Sequence, residues 1–197
     1  MEFHRNHQVI RRGKKVVDLG CWPGGWLQVT AKLVGPKGRV VGVDKAEIDP
    51  PLELPNCTSI VGDFEETALS EQILSLLGGY ADILLCDAAP KLTGIRPVDR
   101  AMEERVLEAL EAQIPLLLRT GGDLLVKILD GPEAQIVDRR IRTNFNTAKT
   151  IKAKATRKGS SERYLYARGF KGVAATAPSE PDSSEGNAEV SDDATEV

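Results

Sequence analysis

The 197-residue sequence is short of the residue types that build covalent or metal-held scaffolds, with three Cys and two His. Cys21, Cys57 and Cys86 are odd in number, widely spaced and form no Cys-x-x-Cys pair, so neither a disulfide framework nor a zinc site is supported. No metal is expected, because His4 and His7 have no third ligand nearby and read as a solvated helix start. No apolar stretch approaches the roughly 18 residues that a membrane span requires. The opening Met-Glu-Phe-His-Arg-Asn-His carries no apolar signal segment. A cytoplasmic protein without membrane contact is expected, in which the Asn56-Cys57-Thr58 sequon is a coincidence.

Basic residues are missing from the C-terminal end. Between Gly172 and Val197 there are seven acids and no Lys or Arg, and large apolar residues are scarce. Such a segment cannot bury enough surface to offset its ordering entropy, so 172–197 is expected to be a disordered acidic tail on a domain spanning 1–171. The net charge of −3 therefore hides a basic body, with 26 basic against 22 acidic residues. Five bases gather between Arg5 and Lys15, and eight between Lys149 and Lys171 against the single acid Glu162. Clusters of this kind suit a polyanion, although a merely solvated face would look the same.

From Lys15 to Phe170, short apolar runs alternate with longer amphipathic stretches, the pattern of a parallel sheet covered by helices. Strands are expected at Val16–Gly20, Val40–Asp44, Thr58–Gly62, Asp82–Asp87, Asp123–Ile128, Thr147–Ala153 and Arg163–Arg168. Helices are expected near Gly25–Val34, Thr67–Leu77, Ala101–Arg119 and Pro132–Asn144. Pro115 predicts a kink or an early end in the third helix, and Gly121-Gly122 a turn into the next strand.

The segment Val16-Val17-Asp18-Leu19-Gly20-Cys21-Trp22-Pro23-Gly24-Gly25-Trp26 reads as a buried strand entering a Gly-rich turn and a helix. Glycines let a backbone approach a ligand closely, and the carboxyl ends of strands in open α/β sheets are where cofactors bind. The spacing departs from the dinucleotide fingerprint. Asp44 ends the second strand, where a carboxylate can accept both ribose hydroxyls of an adenosine. Asp63 is a further acid at a strand end. Each acid alone could be a cap or turn former. Together they line one rim without a pyrophosphate grip, which favours S-adenosylmethionine over a nicotinamide cofactor.

These residues resemble a known family. Asp18-Leu19-Gly20-x-x-Pro23-Gly24-Gly25-Trp26, Gly62-Asp63-Phe64, Cys86-Asp87-Ala88-Ala89-Pro90, Leu125-Val126-Lys127 and Ser161-Glu162-Arg163-Tyr164 look like the FtsJ family of RNA ribose 2′-O-methyltransferases. The resemblance runs from about Arg11 to Phe170. It implies a Rossmann-like S-adenosylmethionine-dependent methyltransferase fold, with a seven-stranded, mostly parallel sheet whose last strand is antiparallel. It also implies a substrate that is most often a uridine of large-subunit ribosomal RNA. Carried over, Gly24 and Trp26 would line the methionine side of the cofactor, Asp44 would hold its ribose, Asp63 would meet the adenine amino group and Asp87 would sit beside the reacting centre. Lys127 would be the principal catalytic residue, with Asp87 and Glu162 orienting it. A ribose 2′-hydroxyl is a weak acid and a poor nucleophile, so a positioned group must take or steer its proton. Lys127 in an apolar strand would be costly if unpaired.

The family's second catalytic lysine, counted back from Val16, falls before Met1, so an upstream start is expected. Its absence keeps an alternative open, a cofactor- and RNA-binding ribosome-assembly protein with little or no turnover. A cap or transfer-RNA ribose is a further alternative substrate. A monomer acting on ribosomal RNA or the large ribosomal subunit is expected. The RNA would lie over one basic edge made by Arg11, Arg12, Lys14, Lys15, Arg139, Arg140, Arg142, Lys152, Lys154, Arg157 and Lys158, with the acidic tail competing for it.

Overall fold

The computed structural model describes residues 8–128, 132–152 and 163–172. Strands and helices alternate as β1 (Lys15–Leu19), α1 (Gly25–Val34), β2 (Arg39–Asp44), β3 (Cys57–Val61), α2 (Leu69–Leu77), β4 (Ala81–Cys86), α3 (Arg96–Leu117), β5 (Leu118–Lys127), α4 (Pro132–Thr143), β6 (Phe145–Lys152) and β7 (Arg163–Phe170). All seven strands join one sheet in the order β3-β2-β1-β4-β5-β7-β6. β1 to β5 pair in parallel, and β7 runs antiparallel to both its neighbours. The expected α/β sheet with a reversed last strand is present.

β1, β2 and β4 are apolar on both faces because helices cover both sides. Val17, Val41 and Leu84 pack toward Ile73 of α2, Leu110 of α3 and Val137 of α4. Their neighbours Val16, Val40 and Leu85 pack toward Leu27 and Ala31 of α1 on the other side. The chain crosses from β1 to β2 in one direction and reaches β4 on the other side of β1. That reversal opens a crevice at the carboxyl ends of β1 and β4. Asn56 closes the end of α1, donating from its side-chain amide to the carbonyls of Ala31 and Gly35 at 2.9 Å each. The sequon's amide is thus occupied structurally.

Two expectations need correction. α3 begins at Arg96 rather than Ala101 and ends at Leu117 rather than Arg119. Its end fits Pro115, which has no N–H for the carbonyl a turn earlier, so the helix stops two residues on. Gly121-Gly122 is not a turn between elements but lies within β5. The pairing steps from Ala81↔Leu118 to Ile83↔Asp123, so the intervening residues of β5 bulge outward, with Gly121 at φ +77°. Glu162, Lys154, Arg157 and Lys158 lie outside the described residues, as does the acidic tail beyond Gly172. Among the described residues no helix is long and apolar enough to cross a membrane, and no cluster of three or more His, Cys, Asp or Glu is suited to a metal.

Candidate active site

The crevice is a cleft of about 600 Å³, walled by the turn after β1 (Gly20, Trp22), the end of β2 (Asp44, Lys45, Ala46), Phe64 and Glu65, the segment Asp87–Lys91 after β4, and Met102, Arg105 and Val106 of α3. The turn after β1 is held by the Gly20 and Cys21 N–H groups, both donating to the Val43 carbonyl, and by the Gly24 N–H donating to Cys21 O at 2.7 Å. Gly20 has φ +75°, and a Cβ there would stand 2.6 Å from the Ala88 Cβ. Only glycine lets the β1 and β4 loops meet this closely. Trp22, 58% exposed, donates its backbone N–H to Asp44 Oδ2, while the Ala46 N–H donates to Oδ1, both at 2.9 Å. Each oxygen accepts one backbone donor and keeps a lone pair for a further one.

A second group sits at the other end of the cleft. Asp87 follows β4 directly, and Lys127 is the last residue of β5, paired in register with Tyr164 of β7. Lys127 Nζ lies 2.7 Å from Asp87 Oδ1 and 3.3 Å from the Asp87 carbonyl. The Tyr164 hydroxyl donates to that same Oδ1 at 2.9 Å. Trp26 stacks on the Tyr164 ring, centroids 5.8 Å apart. Lys127 and Asp87 side chains are 17% and 28% exposed, so the pair is largely desolvated yet reachable from the cleft.

Asp18 is fully buried in β1, and neither carboxyl oxygen has a hydrogen-bond partner among the described residues. Burial, reinforced by the charges of Asp87 and Asp44, pushes its carboxyl well above the usual range. Burial thus disfavours its charged form, and the group retains unspent hydrogen-bonding capacity. Asp63 takes the opposite course. Burial would raise its carboxyl, but Lys45, at 2.9 Å, and the Glu65 N–H outweigh that and hold it below the usual range. Burial pushes the Cys86 thiol up to about 12, so the cysteine beside Asp87 is no nucleophile at neutral pH.

Of the residues singled out from the sequence, Asp44 and Asp87 line the cleft, and Lys127 joins it through Asp87. Gly24, Trp26 and Asp63 are not among its walls. Gly24 (φ +95°) precedes α1 against Ile48 and Leu52, and Trp26 reaches the Asp87 end through Tyr164. Sequence reasoning missed Tyr164, although it stands in the quoted Ser161–Tyr164 segment. It also missed the rim network in which Lys45 reaches Glu65 at 3.2 Å and Arg105 pairs with the same carboxylate. Lys45 and Glu65 adjoin Asp44 and Asp63, a local signal. Arg105 comes from another element and had none.

The single basic edge is also corrected. Lys14 and Arg119 both contact Asp82 at 2.9 Å, and Lys15 reaches the Gly78 carbonyl, all at the amino ends of the parallel strands. Arg140 and Arg142, at the end of α4, are tied to Glu111 and Asp138. Lys152 lies at the opposite end of the sheet, paired with Arg163 next to Tyr164. A β-strand separates its two ends by its full length, so residues clustered in sequence are split between two rims.

The FtsJ-like methyltransferase family model matches residues 1–170. Proteins named ribosomal RNA large subunit methyltransferase E, from Methanothermobacter thermautotrophicus and Pseudomonas aeruginosa, are 38% and 36% identical over 173 residues. The matches cover 87% of this chain and 81% and 82% of theirs. Among solved structures, a protein of Plasmodium falciparum described as a ribosomal RNA methyltransferase gives a TM-score of 0.73 at 24% identity, over 87% of this chain and 94% of that one. Aeropyrum pernix fibrillarin, solved with natively bound S-adenosylmethionine, gives 0.56 at 17% identity, over 81% and 68%. The likeness to these two structures is one of fold.

Proposed function

The chain belongs to the FtsJ-like methyltransferase family, and on that premise we propose that it uses S-adenosylmethionine to methylate a ribose 2′-hydroxyl of large-subunit ribosomal RNA. The relatives named as ribosomal RNA large subunit methyltransferases, identical at over a third of the aligned residues, support the substrate class. We assign residues 1–171 to one methyltransferase domain with 172–197 as an acidic tail. A ribosomal substrate supports a cytoplasmic location. A monomer is part of this reading, which sedimentation of the purified protein tests.

The cleft suits the cofactor on its own chemistry. Asp44 has lone pairs to spare for a ribose diol, Ala46, Phe64, Met102 and Val106 supply apolar walls for a base, and Gly20 leaves its backbone open to close approach. Asp87 and Asp44 favour a cationic centre between them. Behind the cleft walls, Asp18 is fully buried with no side-chain hydrogen bond among the described residues. Bound there, the cofactor supplies a sulfonium methyl group as the electrophile. Gly24 and Trp26 would border its methionine end and Asp63 its adenine, the latter while sharing its carboxylate with Lys45.

The observation that carries the reading is the convergence of Lys127, Asp87 and Tyr164 on one carboxylate oxygen beside the Asp44 cleft. In this role Lys127 Nζ meets the 2′-hydroxyl and takes its proton, directly or through the Asp87 carboxylate, as the oxygen attacks the methyl and S-adenosylhomocysteine leaves. Asp87 fixes the lysine, and Tyr164 fixes Asp87. Glu162 is assigned a supporting place beside Lys127 by the family resemblance.

The test is methyl transfer from labelled S-adenosylmethionine to large ribosomal subunits lacking 2′-O-methylation, comparing the wild type with Lys127→Ala. The wild type is expected to transfer, and Lys127→Ala to lose a factor of about 10²–10⁴ with cofactor affinity retained. A wild type that binds the cofactor and methylates nothing would replace this reading with that of a non-catalytic assembly protein.

A further inference from the structure

α3 contains 22 residues, yet its first fully buried one is Leu107. At about 1.5 Å per residue, roughly 15 Å of helix precedes that point. Val98 and Met102, four apart, fall on one helix face, and both are exposed, as are Ile95 just before the helix and Leu92 in the connection from β4. Contiguous exposed apolar residues on a helix mark a surface that something covers.

Cations interleave with this stripe. Lys91, Arg96 and Arg100 have no ion pair among the described residues, in contrast to Arg105, which is held by Glu65. The one acid between Lys91 and Met102, Asp99, is folded back onto the connection. It accepts the Thr93 N–H at 2.6 Å, the Thr93 hydroxyl at 2.7 Å and the Gly94 N–H at 3.1 Å, and so clasps the connection to the first turn of α3. Gly94, at φ +85°, makes that fold of the chain possible. The surface runs into the cleft, whose wall includes Lys91 and Met102.

A protein covering the stripe would bury cations without partners, whereas a nucleic-acid strand offers base faces for the apolar residues and phosphates for the cations. We propose that the clasped β4–α3 connection and the first two turns of α3 form the docking surface for single-stranded RNA flanking the target nucleotide. This rests on the reading of the chain as an RNA methyltransferase.

The experiment measures KM and kcat on unmethylated large ribosomal subunits for the wild type, Arg96→Ala/Arg100→Ala and Ile95→Ser/Val98→Ser, with cofactor affinity as the control for folding. Binding to RNA extracted from those subunits is followed against salt. The arginine variant is expected to raise KM about tenfold, a factor of roughly three for each phosphate contact, and to flatten the log–log salt slope by about 1.4. Its kcat and cofactor affinity should hold. The serine variant should raise KM without changing the salt slope, and Asp99→Asn should raise KM by loosening the clasp. Unchanged KM in the arginine and serine variants of an active enzyme overturns the docking surface alone. Loss of binding by the serine variant to intact subunits, but not to extracted RNA, overturns it in favour of a ribosomal protein. A wild type that binds cofactor and transfers nothing overturns the methyltransferase reading, and this proposal with it.

Discussion

Tyr164→Phe removes a single oxygen from the site and leaves the ring that stacks on Trp26 in place. The hydroxyl donates at 2.9 Å to the Asp87 oxygen that lies 2.7 Å from Lys127 Nζ, so its loss lets that carboxylate turn and carries the ammonium with it. A hydrogen bond to a charged acceptor contributes about 1.5–3 kcal/mol. Asp87 is 28% exposed, and water can replace part of the lost bond, which sets the cost at the low end. If about 1.4 kcal/mol appears in the barrier, kcat falls about tenfold. A similar loss of folding free energy lowers Tm by about 3–6 °C. The assay is single-turnover methyl transfer to unmethylated large subunits, with cofactor affinity and Tm measured on the same preparation. A tenfold lower rate at unchanged cofactor affinity marks Tyr164 as a positioning residue acting through Asp87. A wild-type rate with only a lower Tm would refute the reasoning and leave Tyr164 a packing residue.

Gly20→Ala places a Cβ 2.6 Å from that of Ala88 at φ +75°. It should cost about 2–4 kcal/mol by urea denaturation and weaken cofactor binding in a direct titration, since both strain and overlap fall on the cleft wall. Asp82 is subject to burial, which would raise its carboxyl, but the Lys15 N–H, Lys14 and Arg119 outweigh this and hold it below the usual range. Its folded value is the lower one, so its contribution is complete above the unfolded value near pH 4 and is lost as pH falls through the folded value. Asp82→Asn should therefore be less stable at neutral pH and show a shallower acid limb below about pH 4. Identical acid limbs for both proteins would count against that role.

Much of the fold is local in origin. β1, β2 and β4 are apolar runs closed by turn residues, so their existence and parallel pairing follow from period and spacing. The Gly20–Trp26 turn and the acids at the ends of β2, β3 and β4 are legible for the same reason, because a ligand crevice at strand ends must be built from consecutive residues. The α3 start was not legible. Arg96 to Arg100 lacks a core-facing stripe, and the Asp99 clasp that sets the helix off depends on side-chain bonds back to Thr93 and Gly94. The β5 bulge was hidden because Gly-Gly reads as a turn wherever the register is unknown.

What the sequence by itself determined is the order of elements and the chemical inventory of the site, since both are written in neighbouring residues. Only the tertiary structure decided which residues meet. Asp87, Lys127 and Tyr164 are 40 and 37 positions apart along the chain, and the β4-β5-β7 order brings them onto one oxygen. The same geometry drew Lys14 and Arg119 onto Asp82 and, among the described residues, left Lys91, Arg96 and Arg100 without ion pairs. Charge counts along a chain cannot distinguish these cations, because whether one is neutralised depends on a carboxylate delivered by a distant strand or helix.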